Sequence, residues 1–504
     1  MHNLEKEFIE IVASGLKRKA ITKCSKWAEN YRVMGGQFAG PWSFKFHPWS
    51  RGMHDSNAPF NVGMKSAQMA YTETVLNKVF FEMDMRGVNC LYAFPNKNPD
   101  ASDFSSSRFD PALELSEHLS RMFSDTKNIG HKRAGAANLW IRGSRSRIGF
   151  KSIDPTLVVL DEVDEMCQKN IPLALRRTDG QLVSQVWAIS TPTIPEKGIH
   201  EMFLETTQEY WYFQCPVCWK VITLEFPECM VVIGESLTDP RIKESHVICP
   251  LCKKKIDHQD KIKSQRETGE WIPKVKEAER RGFYINQLSS LVKEPYKIAE
   301  TAIEAETNPA SEQEYWNSIG GLPHVVDGAK IEEHHFQYYD RRMNDPSPKC
   351  KLRTMGVDVG KYFHYEIANW EFPKLCADLN MAAVCYVLRV GKLERFHELK
   401  QLMHEWQINC CVIDWQPEER LTYEFCCEFW GSVKRCRYGK GMGAKKLSIS
   451  PAEDEHLVIA NRSFWLDTSL GRVKSKRVFY PKDLPQEYRT HLMAVVKKYE
   501  ENDD

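Results

Sequence analysis

The stretch Leu157-Val158-Val159-Leu160-Asp161-Glu162-Val163-Asp164 decides the fold. Four successive apolar residues, preceded by Pro155, predict a strand buried on both faces, the pattern of a parallel sheet covered by helices. The strand ends in carboxylates. A buried strand that presents an Asp to a divalent cation and a neighbouring Glu to a water molecule suits phosphoryl transfer to water. Asp161 is therefore a candidate Mg²⁺ ligand and Glu162 a candidate general base. Taken alone, the stretch fits a strand running into a solvated acidic turn equally well, and the rest of the chain has to separate the two.

Upstream, Pro59-Phe60-Asn61-Val62-Gly63-Met64 predicts a short strand, followed by Lys65-Ser66-Ala67-Gln68-Met69-Ala70-Tyr71-Thr72-Glu73 and a helical run to about Phe81. Strand, loop and helix in that order is the setting of a phosphate-binding loop, although G-x-x-x-x-G-K-[ST] is absent. Aligned on that template, Thr72 takes the hydroxyl position, Tyr71 the usual Lys position and Lys65 the first Gly. An ammonium at the start of the loop can still reach phosphates held by backbone N–H groups and a helix amino terminus. A basic turn before a helix is the competing reading. Trp42, Phe44, Phe46 and Trp49 either pack a lead-in segment onto the core or stack on a base. Leu91 to Pro95 predicts another strand. From His131 to Lys151 the charge is one-sided, with Lys132, Arg133, Arg142, Arg145, Arg147 and Lys151 and no acidic residue; such a run is a solvated face or a phosphate contact.

Downstream, Val183 to Ser190 predicts a strand, and Ser190-Thr191-Pro192-Thr193 places hydroxyls at its carboxyl edge beside Asp161 and Glu162, where Ser190 or Thr191 can sense a terminal phosphate. Cys215-Pro216-Val217-Cys218 and Cys249-Pro250-Leu251-Cys252 are separated by thirty residues. Paired C-x-x-C knuckles supply four thiolates to a tetrahedral Zn²⁺ with no open position, a structural site. Cys229, between them, is not counted as a ligand. Gly320-Gly321 through Asp345-Pro346-Ser347-Pro348 is turn-rich and predicts a linker. Beyond it, Thr354-Met355-Gly356-Val357-Asp358-Val359 followed by a returning strand is how ribonuclease-H-like nucleases present a first metal ligand. Cys410-Cys411-Val412-Ile413-Asp414 is a second apolar strand ending in Asp. Two such carboxylates can hold paired divalent ions for phosphodiester hydrolysis. Asp467 is a candidate third ligand, as is Glu366; the tail Glu500-Glu501-Asn502-Asp503-Asp504 has no core pattern.

The chain has 504 residues, more than one core usually serves. A net charge of +1 provides no global basic field, so contact with nucleic acid has to come from local Lys and Arg clusters. No run of 18 apolar residues and no charged leader with an apolar core is present, which predicts a cytosolic protein without a membrane span. Sixteen Cys spread over this length fit reduced thiols.

In their order and spacing, the deviant phosphate loop at Lys65–Glu73, Leu160-Asp161-Glu162-Val163-Asp164, Ser190-Thr191-Pro192-Thr193, the two knuckles, Gly356-Val357-Asp358 and Val412-Ile413-Asp414 resemble the large terminase subunit of tailed double-stranded DNA phages, in particular the lambda-like group. The resemblance implies an α/β chain: a lead-in over 1–50, a P-loop (ASCE-type) ATPase domain over 51–335 with a zinc-binding insertion at 210–256, a linker at 336–350, and a ribonuclease-H-like nuclease domain over 351–504. It implies a motor that uses ATP to drive double-stranded DNA into a procapsid, and a metal-dependent endonuclease that cuts concatemers. Residues 65–72 and Asp161 would bind nucleotide, with Thr72 and Asp161 on Mg²⁺ and Glu162 activating water. Asp358, Asp414 and Asp467 would hold Mg²⁺ or Mn²⁺. The implied partners are a small terminase subunit, the portal protein of the procapsid and further copies of the chain in a ring, in the cytoplasm of the infected bacterial host. Two departures stand out: Ala70 occupies a position that usually needs Gly, so a positive φ there is strained, and Gln68 replaces an Arg found in some relatives. The competing readings are a zinc-stabilised nucleic-acid-binding scaffold and a helicase-like ATPase with a degenerate nuclease site.

Overall fold

The computed structural model describes residues 21–123, 128–306, 308–326, 328, 330–346, 348–372, 382–439, 447–449 and 457–496. Residues 1–20 of the expected lead-in and the acidic tail at 500–504 lie outside the described residues. The chain divides into two compact units, the first ending at Val326 and the second spanning 327–498.

The first unit is built on a ten-stranded sheet: β1 Phe60–Lys65, β2 Cys90–Phe94, β3 His131–Ala134, β4 Ala137–Gly143, β5 Leu157–Asp161, β6 Gln185–Ser190, β7 Glu209–Gln214, β8 Val221–Ile222, β9 Glu270–Pro273 and β10 Arg281–Ile285. Their spatial order is β8-β7-β10-β1-β6-β5-β2-β4-β3, with β9 also on β7. From β7 to β4 every pairing is parallel, and the added edge strands run antiparallel. The apolar run of β5 is explained by two cores. Leu157 and Val159 face one packed by Val75, Leu76 and Val79, while Val158 and Leu160 face another containing Ile171, Ile199 and Phe203. Because β6 lies between β1 and β5, Lys65 and Asp161 leave the sheet two strands apart, with Ser190 at the end of the strand between them.

Helix α1, Cys24–Tyr31, buries Trp27, and the indole of Trp49 is also fully buried; this part of the lead-in packs as core. Helix α2, Tyr71–Arg86, runs from Ala70 to a C-cap at Gly87, whose φ of +63° suits glycine. After β8 the chain forms a small antiparallel sheet from Met230–Val231, His246–Ile248 and Lys255–Ile256. Helix α3, His258–Thr268, capped by Asp257, returns it to the main sheet.

The second unit holds β11 Gln337–Tyr339, β12 Arg353–Val359, β13 Phe363–Glu371, β14 Val384–Leu393, β15 Cys410–Asp414, β16 Val433–Tyr438, β17 Leu447–Ile449, β18 Leu457–Ala460 and β19 Val478–Pro481, in the order β11-β19-β14-β13-β12-β15-β16-β18-β17. Strands β12, β13 and β14 form an antiparallel meander, and β15 lies parallel on the other side of β12. β11 falls inside the segment expected as a linker; it is drawn into the sheet because Phe336 is buried against Tyr480, ring centroids 5.2 Å apart. β12 alternates, with Met355, Val357 and Val359 inward and Gly356 and Asp358 on the open face.

Candidate functional site

Lys65 is the last residue of β1, and its Nζ donates to Glu162 Oε1 at 2.7 Å. Asp161 ends β5, 2 % exposed, with Tyr92 of the neighbouring β2 donating its hydroxyl to Oδ2 at 2.8 Å. Its other oxygen, Oδ1, is buried and makes no hydrogen bond among the described residues. Burial, then the Glu162 charge, pushes the Asp161 carboxyl up to about 6, while Lys65 and the Tyr92 and Thr72 hydroxyls pull it back. An orphaned, desolvated carboxylate oxygen near a hydroxyl is the donor set a hard divalent cation takes. Glu162 turns off the strand in the left-handed region, φ +59°, so its side chain leaves the sheet edge while its N–H still donates to Ile189 O at 2.9 Å.

The Ser190 hydroxyl and the Thr191 N–H each approach Glu162 Oε2 at 3.4 Å. Asp164, to which the sequence assigned no role, organises this segment. Its carboxylate accepts from Thr193 N at 2.7 Å, Thr193 Oγ1 at 2.8 Å and Ile199 N at 2.7 Å.

The loop between β1 and α2 carries Gln68 at φ +61° and Ala70 at φ +62°, each a left-handed non-glycine conformation costing about 1–2 kcal/mol. The strain is held by a frame. Ser66 N donates to Ile285 O at 3.2 Å and Ala67 N to Ser318 O at 2.7 Å, while Trp49 Nε1 donates to Met69 O at 2.9 Å. Gly321, φ +62°, presses on the loop so closely that a Cβ there would lie 2.7 Å from Ser66 N. Tyr71 fills the space beside Gly63 and is 1 % exposed; it is a packing residue, with its side chain buried rather than turned to a ligand. Thr72, in the first turn of α2, lines the cavity instead.

That cavity, about 910 Å³, is bordered by Lys65, residues 67–73, Glu162 and Thr191 on the side of the β1–α2 loop and by Phe38, Trp42, Phe46 and His47 on the other. A second of about 450 Å³ reaches Asp161 from the side of Asn96 and Arg145. Trp42 is 6 % exposed, and its Nε1 and His47 Nδ1 lie buried without a hydrogen-bond partner among the described residues, so the lead-in packs on the core while bordering the cavity. Arg108 borders both cavities and pairs with Glu73 at 3.1 Å. The basic run divides. Lys132 is buried on Asp110 at 2.7 Å and Arg142 donates to Gly130 O, whereas Arg145 and Arg147 are exposed.

The four predicted cysteines converge: Cys215, Cys218, Cys249 and Cys252 place their sulfurs within 4.8 Å of one another, the only such metal-ligating group of three or more among the described residues. The knuckles repeat one geometry. Cys215 N and Cys249 N donate to Lys220 O and Lys254 O at 2.8 and 3.0 Å, and Val217 N and Cys252 N each lie 3.4 Å from the first sulfur of their own knuckle. Trp219 and Lys253, which follow the knuckles, share φ near +60°. Tetrahedral sulfur ligation fits this donor set. Cys229 is buried outside the group.

In the second unit, the β12–β15 register pairs Val357 with Ile413, so Asp358 and Asp414 follow side by side on adjacent strands. Asp414 is pushed up to about 6 by burial and by Asp358, against the Arg462 charge. His364 lies across from Asp358 on β13, and Glu366 follows two residues on, taking the Tyr488 hydroxyl from helix Gln486–Met493. Burial raises the Glu366 carboxyl. Asp467 is exposed on helix Arg462–Lys474, and neither it nor Glu366 completes a group of three ligand atoms with Asp358 and Asp414 within 4.8 Å.

The β1–loop–α2 succession and the cysteine pairs were visible as spacing. Tyr92, Asp164 and the cavity face of the lead-in were not, since each acts through the sheet order. Register places Tyr92 opposite Val159 on β5.

Residues 36–271 match the family profile described as phage terminase large subunit gpA, ATPase domain. No curated protein sequence matches the chain. Among solved structures, the large terminase of bacteriophage HK97 is similar at 10% identity over 91% of this chain and 89% of that one, TM-score 0.44. The large terminase of a thermophilic bacteriophage is similar at 11% identity over 90% and 91%, TM-score 0.34. The ATPase domain of the Thermus phage P74-26 large terminase is similar at 14% identity over 56% and 94%, TM-score 0.32.

Proposed function

We propose, from the match of residues 36–271 to the profile of the phage terminase large subunit gpA ATPase domain, that this chain hydrolyses ATP to drive double-stranded DNA into a procapsid. The observation that carries the reading is the meeting of Lys65, Thr72 and Glu162 on one cavity, with the Lys65–Glu162 ion pair at 2.7 Å. An entering triphosphate competes for the ammonium, and Glu162, released from it, is free to accept a proton from the attacking water. Thr72 and Asp161 would hold Mg²⁺, which when bound offsets charge on the phosphate oxygens. Loop N–H groups at the start of α2 orient the phosphates. Ser190 and Thr191, both in reach of Glu162, sense whether that carboxylate is paired with Lys65 or with water, and Asp164 holds them to the next segment.

The four sulfurs support a structural Zn²⁺, and the Asp358–Asp414 pair supports a metal-dependent endonuclease of ribonuclease-H-like type, with Asp467 or Glu366 as third ligand and Mg²⁺ or Mn²⁺ as metal. The domains follow as 51–335 for the ATPase with its insertion at 210–256 and 351–504 for the nuclease. Double-stranded DNA, a small terminase subunit, the portal protein and a homo-oligomeric ring are the partners of that reading, in the cytoplasm of the infected host. Among the described residues no helix is long and apolar enough to cross a membrane.

The test separates the halves. Purified protein is assayed for Mg²⁺-dependent ATP hydrolysis with and without double-stranded DNA, and for plasmid cleavage with Mn²⁺. The reading expects DNA-stimulated hydrolysis and metal-dependent cutting. Absence of hydrolysis with DNA binding intact would favour the scaffold, and hydrolysis without cutting the helicase-like ATPase.

A further inference from the structure

The loop 286–293 after β10 is gripped from two sides. On the nucleotide side, Gln287 Nε2 donates to Ala67 O in the phosphate loop at 2.9 Å, and Lys293 Nζ donates to Gln287 Oε1 at 2.8 Å. Both Gln287 and Lys293 border the large cavity. On the other side is α3, whose first residue lies six positions beyond Cys252. Lys261 Nζ donates to Leu288 O at 2.8 Å and Gln265 Nε2 to Ser289 O at 3.0 Å. These two donors lie one helical turn apart on a single face of α3, and they are 1 % and 0 % exposed. A third bond runs from Asn286 Nδ2 to Leu224 O at 2.7 Å, in the segment that leaves the first knuckle.

Two consecutive carbonyls are thus fixed, out of water, by a helix that starts at the cysteine module. The residue immediately before them holds the phosphate loop. Burying a lysine ammonium against a neutral carbonyl carries a desolvation penalty, so the contact is poorly suited to stability alone. Its geometric effect is to set the position of Gln287. Ala67 belongs to the same loop as the left-handed Gln68 and Ala70, so a shift of its carbonyl is transmitted to the N–H groups that face the cavity.

We propose that Gln287 is a positioning residue for the phosphate loop, and that Lys261 and Gln265 make it the link through which the metal-loaded cysteine module sets nucleotide affinity. The inference rests on the ATPase and zinc readings above. Because coupling between two binding sites is reciprocal, nucleotide in turn raises the affinity for the metal by the same factor.

The experiment measures, on the full chain, the affinity of a fluorescent ATP analogue with Mg²⁺, KM and kcat for ATP hydrolysis, zinc content by a chromogenic chelator, and melting temperature. Lys261→Met, which keeps volume and removes the donor, and Gln287→Ala should retain zinc and fold, and bind the analogue about tenfold more weakly, with the loss falling on KM rather than kcat. Stripping zinc from the wild type should weaken the analogue by a similar factor, and stripping it from Gln287→Ala should add nothing. Variant affinities within about twofold of wild type, or an equal effect of stripping on wild type and Gln287→Ala, would overturn the inference. Should Lys261→Met fail to fold, Gln287→Ala, at the cavity edge, carries the same comparison. A zinc-loaded wild type that binds no nucleotide overturns the ATPase reading along with this link; nucleotide binding by a chain that takes no zinc overturns the link and leaves the ATPase reading standing.

Discussion

The two units each gather carboxylates near the carboxyl ends of strands, and they balance the charge differently. In the first, Asp161 and Glu162 are consecutive in the chain and Lys65 reaches Glu162 at 2.7 Å. In the second, Asp358 and Asp414 come from neighbouring strands and face each other, with Arg462 acting on Asp414 from a distance. One carboxyl of each set is pushed up to about 6, chiefly by burial, and the second contributor is Glu162 in one case and Asp358 in the other. The difference teaches what each site lacks. The first carries its own cation, and on the proposed reading an entering anion draws Lys65 away. The second is a pair of neighbouring carboxylates, partly balanced by Arg462, that an added cation would relieve further.

The comparison breaks first at Asp358. Asp358→Asn removes half of the facing pair, and metal-dependent plasmid cleavage should fall by about 10³-fold or more, since several kcal/mol of metal-borne charge stabilisation is lost. ATP hydrolysis should continue; cutting at the wild-type rate would remove the second site from the account. Lys65→Ala tests the opposite claim, that the first site's cation serves phosphate. A charge-assisted contact contributes about 1.5–3 kcal/mol, so nucleotide affinity by equilibrium titration should weaken by about ten- to a hundredfold. Unchanged affinity would mean that the ammonium serves only Glu162.

Acid acts on both sites. A carboxyl whose folded pKa is raised binds more protons in the folded than in the unfolded chain between the usual range and about 6. Its contribution to stability is therefore greatest at low pH and declines as pH rises through about 6. Metal affinity runs the other way, because the proton competes for the same oxygen. Mn²⁺ binding to the Asp358–Asp414 pair, followed by calorimetry, should weaken up to about tenfold per pH unit below the raised pKa. A flat profile between pH 5 and 7 would show that no proton competes with the metal at Asp414. The smallest effect is expected at Trp49→Phe, which removes one buried bond to Met69 O. Thermal unfolding should show a loss of about 1 kcal/mol, with the indole volume adding to it.

What was legible in the sequence was what depends on neighbours along the chain. The apolar run of β5, the β1–loop–α2 succession and the cysteine spacing each state their local structure, and Ala70 announced its left-handed backbone through the missing glycine. What sheet order decides was hidden. Nothing in the run of residues says that β6 separates β1 from β5, or that Tyr92 caps Asp161. The basic run shows the limit of composition: Lys132 and Arg133 lie on one short strand, yet one is buried against Asp110 and the other is exposed. The linker was misjudged at β11 for the same reason, since Phe336 finds its partner Tyr480 far along the chain.

The central claim is that Glu162 is the base of an ATP-hydrolysing site, and Glu162→Gln tests it by changing one atom pair without changing the side chain's shape. Turnover should fall by about 10²- to 10⁴-fold, while Mg²⁺-dependent binding of the nucleotide stays close to wild type. Undiminished turnover, or a loss of binding in step with turnover, would contradict the account.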